Sequence, residues 1–72
     1  MRIMKNVLGY NMRIYRKKRA WSQEDLAEKS NLHRTYISGI ELGKRNPTLA
    51  IIYKIAGALN VKVSELLREQ SE

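Results

Sequence analysis

The chain has no cysteine, so neither a disulfide framework nor a thiolate metal centre is available to it. Its one histidine, His33, has no second histidine with which to complete a metal site. No glycine-rich phosphate loop follows a strand pattern, and the carboxylates of Glu24, Asp25 and Glu28 are expected to be exposed, which gives no reason for a perturbed pKa. The chain is therefore expected to be no enzyme and to carry no cofactor and no metal. The longest apolar run falls far short of the ~18 residues that suggest a membrane span. The N-terminal stretch meets Lys5 and Asn6 after two apolar residues, unlike a signal peptide. A reducing, cytoplasmic location is expected. Strand-like alternation of apolar and polar residues is nowhere sustained. Acids are absent from the first twenty residues, which hold Arg2, Lys5, Arg13, Arg16, Lys17, Lys18 and Arg19, seven of the fourteen basic residues.

With 72 residues, 43% of them hydrophobic, the chain is read as a single domain over residues 1–72. A chain of this size buries only about 60% of the surface it exposes when unfolded. Dimerisation is the remaining route to further burial. The net charge is +7, and residues 21–72 balance seven basic against seven acidic groups. With a pI near 10.1, DNA, RNA and an anionic membrane surface are the favoured partners. Charge alone explains only non-specific attraction.

The helical period recurs throughout. Leu8, Met12 and Tyr15 fall at i, i+4, i+7 in a helix predicted over Met4–Arg19. Ser22 and Asp25 form a capping-box pattern before a short helix, Gln23–Lys29, that buries Leu26 and Ala27. Asn31 suits a left-handed turn. A third helix, Arg34–Leu42, carries Ile37 and Ile40 on one face and ends at Gly43. A polar connection, Lys44 to Pro47, leads to Thr48, which caps a fourth helix with the stripe Leu49, Ile52, Ile55, Ala56 and Leu59. Asn60 ends it, and Ser64 is the expected cap of a fifth helix carrying Leu66 and Leu67. Trp21, the tyrosines and the methionines read as core and edge packing. Five short helices with short connections make an all-α domain.

The segment QEDLAEKSNLHRTYISGIEL, residues 23–42, has the dimensions of a helix-turn-helix: two helices of about two turns, a three-residue turn, and small Ala27 allowing close approach. Together with LGYNMRIYRKKRAWSQEDLAEKSNL, YISGIELGKRNP and LNVKVSELL, it resembles the phage-repressor-like (Xre) helix-turn-helix family over nearly the whole chain. RTYISGIELGKRNPTL is most similar to the controller proteins of restriction–modification systems. Two departures stand out. Asn31 replaces the usual turn glycine, and His33 replaces a capping Ser or Thr, leaving the start of the third helix less firmly capped. The resemblance implies a five-helix, lambda-repressor-like DNA-binding domain and a transcriptional regulator, with autoregulation and timing of restriction-enzyme expression for a controller.

In such domains the N-terminal end of the third helix enters the major groove. Arg34 suits guanine O6 and N7, and Thr35 suits a base edge or a thymine methyl. Ser38 and Gly39 follow one turn later on the same side. Gln23, at a helix N-terminus, with His33, Tyr36, Lys44, Arg45 and Asn46, is expected on the DNA backbone, where contacts position rather than specify. The resemblance implies a structural ion pair between Arg16 and Glu41, while Lys17, Lys18 and Arg19 are expected to be solvated. It also offers Glu24 and Glu28 as an RNA polymerase contact; the simpler and preferred reading is that acids near the helix N-terminus stabilise its dipole, which suffices for two of the three acids there. A homodimer on a near-palindromic operator is expected, meeting through Ile51, Val61, Val63 and Leu67. The rival readings are an antitoxin-type protein-interaction module on the same fold and a membrane binder built on the first helix. The second conflicts with the need for Leu8, Met12 and Tyr15 in the core, so no membrane partner is expected.

Overall fold

The computed structural model describes residues 6–69. Arg2, Lys5 and the expected helix start at Met4 lie outside them. Five helices follow in order: α1 Val7–Lys18, α2 Gln23–Ser30, α3 Arg34–Glu41, α4 Leu49–Leu59 and α5 Val63–Leu66, with no strand among the described residues. α2 packs on α3 and α4, α1 on α3 and α5, and α4 on α5.

Four of the five helix starts have a local cause. The capping box forms at α2, where the Ser22 hydroxyl accepts from the Asp25 N–H at 3.0 Å and the Asp25 carboxylate accepts from the Ser22 N–H at 2.8 Å. Thr48 caps α4 by accepting from the Ile51 N–H at 3.3 Å. His33 makes no side-chain capping bond at α3. Two starts differ from the sequence reading. α1 begins at Val7 because the Asn6 side chain accepts from the Gly9 N–H at 3.1 Å. The cap of α5 is Lys62 rather than Ser64, because the Glu65 carboxylate accepts from the Lys62 N–H at 2.9 Å and places Ser64 inside the helix.

The ends of α1 to α4 share one device. Ala20, Asn31, Gly43 and Asn60 take positive φ values of 58°, 59°, 77° and 59°. In each case the following residue's N–H returns to a carbonyl five residues earlier: Trp21 to Arg16, Leu32 to Ala27, Lys44 to Gly39 and Val61 to Ala56, at 2.8–3.0 Å. These are Schellman turns, which satisfy carbonyls that have no partner within the helix. Trp21, Leu32 and Val61 then pack against the core, the hydrophobic contact that usually accompanies the motif. The end of α3 is the exception, because it places the exposed Lys44 there. α2 runs to Ser30 and α3 stops at Glu41, each within a residue of its predicted end.

Met12, Leu26, Ile37, Ile40, Ile55, Leu59 and Leu66 are fully buried, with Ala27 and Ala56 beside them. Burial of each large side chain contributes about 1.5–3 kcal/mol. Leu8 and Tyr15 pack on this cluster from its edge. The predicted α4 stripe needs one correction: Leu49 is 57% exposed. As the first residue of α4 it projects beyond the packed turns, and Ile52, Ile55, Ala56 and Leu59 carry the contact. Tyr53, read as packing, is 61% exposed. It sits one residue along from Ile52, which turns its side chain away from the stripe.

Among the described residues Asn11 is the one fully buried polar side chain of the core. It donates to the carbonyls of Leu66 at 2.7 Å and Arg68 at 2.8 Å. α5 is only four residues long, and these bonds tie its C-terminal end to α1.

Candidate nucleic-acid interface

α3 is amphipathic. Ile37, Ile40 and Glu41 are buried, while Arg34 and Thr35 are exposed and Ser38 and Gly39 half-buried. The buried isoleucines fix the helix rotation, so Arg34, Thr35 and Ser38 share the outward side of its first turns. His33 is exposed just before them.

A second group forms behind this face. The Arg45 guanidinium lies 5.7 Å from the centre of the half-buried Tyr36 ring, a cation–π distance. The Arg45 stem also crosses Gly39, where an added Cβ would lie 2.6 Å from Arg45 Cγ. The missing side chain at Gly39 therefore makes room for a packed neighbour, an arginine on the same surface. Lys44 and Asn46 are exposed on either side of it.

Beneath the surface, Arg16 and Glu41 form a two-bond ion pair. Arg16 Nε donates to Glu41 Oε2 at 2.8 Å and Arg16 Nη2 to Oε1 at 2.9 Å, with side chains 9% and 2% exposed. Arg16 Nη1 also donates to the Trp21 carbonyl at 2.8 Å. Gln23, on the first turn of α2, is not a free surface side chain: its Nε2 donates to Glu41 Oε1 at 3.0 Å.

The basic run divides. Lys17 and Lys18 are exposed, although the Lys18 ammonium lies 5.3 Å from the Tyr15 ring centre. Arg19 departs from the solvated role expected of it. It donates to the Tyr15 carbonyl at 2.9 Å, and its guanidinium lies 5.9 Å from both the Tyr15 and the Trp21 rings. The Schellman turn at Ala20 swings Trp21 back and creates this contact.

Glu24 and Glu28 are exposed on α2. Asp25 titrates below the ordinary carboxylate range, chiefly because the Ser22 N–H bonds its charged form. Ile51, Val61 and Val63 are half-buried against the core, while Leu67 is 48% exposed. Val61 and Val63 line a shallow hollow between α4 and α5 with Tyr53, Gly57 and Lys62. Among the described residues no group of acidic or histidine side chains is arranged to hold a metal, and no helix is long and apolar enough to cross a membrane.

Sequence reasoning missed Asn6 and Asn11. A cap signal marks Asn6, three residues before Gly9. Asn11 stands at i+3 from Leu8 within the apolar stripe, a polar residue where burial is expected.

The helix-turn-helix family model matches residues 12–66. A hypothetical transcription factor of Neisseria meningitidis serogroup B is 44% identical over 69 residues, covering 96% of this chain and 65% of that protein. The control protein C.SmaI of Serratia marcescens is 48% identical over 67 residues, covering 93% and 80%. The crystal structure of the restriction–modification controller protein C.AhdI from Aeromonas hydrophila superposes with a TM-score of 0.82 at 40% identity, covering 86% of this chain and 94% of that one. The chain thus spans just under two thirds of the Neisseria relative.

Proposed function

The chain belongs to the helix-turn-helix family, and from that premise we propose how it acts: as a homodimeric, sequence-specific DNA-binding transcriptional regulator on a near-palindromic operator. The observation that carries this reading is the face of α3, where Arg34 and Thr35 stand exposed above the buried Ile37 and Ile40. A rigid helix presenting a bidentate donor at its N-terminal turn is what reading a guanine edge requires. Arg34 and Thr35 are the principal base readers, with Ser38 and Gly39 beside them. Gln23, His33, Tyr36, Lys44, Arg45 and Asn46 hold the DNA backbone and set the register. Arg45, braced on Tyr36 and Gly39, approaches the backbone with little side-chain freedom left to lose.

The dimer forms through α4 and α5. Leu67 supplies exposed apolar surface, and Ile51, Val61 and Val63 extend it from the core edge. Residues 1–72 act as one DNA-binding unit. The likeness to C.SmaI and C.AhdI supports a finer assignment, the autoregulating controller of a restriction–modification system. In that setting Glu24 and Glu28 on the outer side of α2 meet RNA polymerase. None of these actions calls for catalysis or a cofactor.

Selection of bound duplexes from a random pool at physiological salt tests the reading. Enrichment of a near-palindrome with half-sites about 10–10.5 bp apart is the expected result. Binding without enrichment would refute sequence-specific readout and leave only the basic surface at work.

A further inference from the structure

We propose that the buried Arg16–Glu41 pair is a positioning device for DNA binding, one that pre-orients the Gln23 side chain for a phosphate it meets on the surface. The inference rests on the reading of Gln23 as a backbone contact and adds the means by which that contact is set. Glu41 Oε1 accepts from both Arg16 Nη2 and Gln23 Nε2, at 2.9 and 3.0 Å. A carboxylate only accepts hydrogen bonds, so the Gln23 amide cannot turn its oxygen toward Glu41. Its orientation is fixed, with one Nε2 hydrogen on Glu41 and the second left to meet an outside acceptor.

Arg16 contributes twice more. Its charge offsets that of Glu41, which would otherwise repel a phosphate arriving at Gln23. Its Nη1 bond to the Trp21 carbonyl, at 2.8 Å, holds the chain two residues before Gln23. One pair therefore sets the first residue of α2 against the last residue of α3, the two elements that carry the phosphate contact and the base readers. Glutamine is among the side chains that lose most rotamer freedom on ordering. Ordering it in advance is worth roughly 2- to 10-fold in affinity.

The test is a set of variants binding a short random-sequence duplex, a probe that reports phosphate contacts whatever the operator. In the wild-type background Gln23→Ala should weaken binding about tenfold, as loss of a hydrogen bond to a charged group does. The paired replacement Arg16→Met with Glu41→Leu removes the acceptor while keeping the volume apolar, a change that folded proteins often tolerate. In that background Gln23→Ala should cost between nothing and about fivefold, the part of the tenfold loss left once the 2- to 10-fold worth of pre-ordering is gone. Lys44→Ala, which does not touch the pair, should cost the same in both backgrounds.

An equal cost of Gln23→Ala in both backgrounds overturns the inference, and so does a parallel fall for Lys44→Ala, which would mark a general distortion. No cost in the wild type removes the phosphate reading beneath it. Should the paired replacement not fold, the Gln23 side-chain amide of the DNA-free wild type decides by NMR relaxation. An order parameter near that of rigid backbone, about 0.85, is expected, and one below about 0.6 overturns the proposal.

Discussion

Replacing Gly9 by alanine separates helix propensity from packing, because the two predict opposite signs. Propensity alone favours the change: alanine in a helix interior is better than glycine by about 1 kcal/mol. The surroundings oppose it. A Cβ at Gly9 would lie 2.5 Å from Asn6 Nδ2, 2.6 Å from the Ile40 carbonyl oxygen and 2.7 Å from the Glu41 carbonyl oxygen. Two of these are backbone atoms at the end of α3 and cannot swing aside. The third belongs to the side chain that caps α1 and donates to the Glu41 carbonyl at 2.7 Å. Overpacking of this kind costs about 1–3 kcal/mol, and a displaced cap about 1 kcal/mol more. Set against the propensity gain, the net loss is about 1–3 kcal/mol, a fall in melting temperature of roughly 5–20 °C for a domain of this size.

Gly57→Ala is the matched control. Nothing lies within 4 Å of a Cβ there, so only the propensity gain remains, and melting should rise by about 2–8 °C. Both variants belong in thermal unfolding followed by circular dichroism, at protein concentrations low enough that assembly does not contribute. Removing Asn6 as well should recover only part of the Gly9→Ala loss, since the two carbonyls stay in place. A Gly9→Ala protein that melts at or above wild type would refute the close approach of α1 to the end of α3.

Asn11→Ala deletes one buried and one part-buried hydrogen bond and strands the Leu66 carbonyl, a loss of about 2–4 kcal/mol; hydrogen exchange should locate the first damage at α5, and unchanged protection there would contradict the latch. Arg34→Ala should cost about 1–3 kcal/mol on the selected operator and relax preference at one base position. Equal losses on operator and random DNA would assign Arg34 to the phosphate set instead. The depressed pKa of Asp25 has a definite sign: its contribution to α2 is present above the unfolded aspartate value, about 3.9, and is lost as pH falls through the folded value. The stability difference between wild type and Asp25→Ala should therefore hold constant above about pH 5 and shrink below about pH 4. A difference that persisted into strong acid would exclude the carboxylate as its source.

What was legible in the sequence follows from how far apart the interacting residues stand. Ser22 with Asp25, Thr48 with Ile51, the left-handed turn at Asn31 and the helix end at Asn60 all depend on a few neighbouring residues, and local pattern places each of them; that Asn60 is also left-handed is added by the structure. The same local logic misplaces the start of α5: a hydroxyl marks Ser64 as the cap, whereas the Glu65 carboxylate, bonding the Lys62 N–H, sets the start two residues earlier. Periodicity placed the stripe of α4 but not its limit, since it does not tell Leu49 that its neighbours end before it begins.

The site divides along the same line. The outward position of Arg34 and Thr35 follows from the inward position of Ile37 and Ile40, three residues apart on one helix. The bond from Gln23 to Glu41 spans eighteen residues and that from Asn11 to Leu66 fifty-five, and neither has a periodic signature. Arg16 with Glu41 was reached through family resemblance rather than spacing. A trace of the distant contacts does exist, in residues that contradict their own stripe. Asn11 among Leu8, Met12 and Tyr15, and Glu41 beside Ile40, are polar groups at positions the helical period assigns to the interior. A buried polar group must find a partner or cost the fold dearly, so each such contradiction implies a tertiary bond before its partner is known. Here both kinds of partner lie on elements that must be held in place: α5 by Asn11, and the first turn of α2 by Glu41.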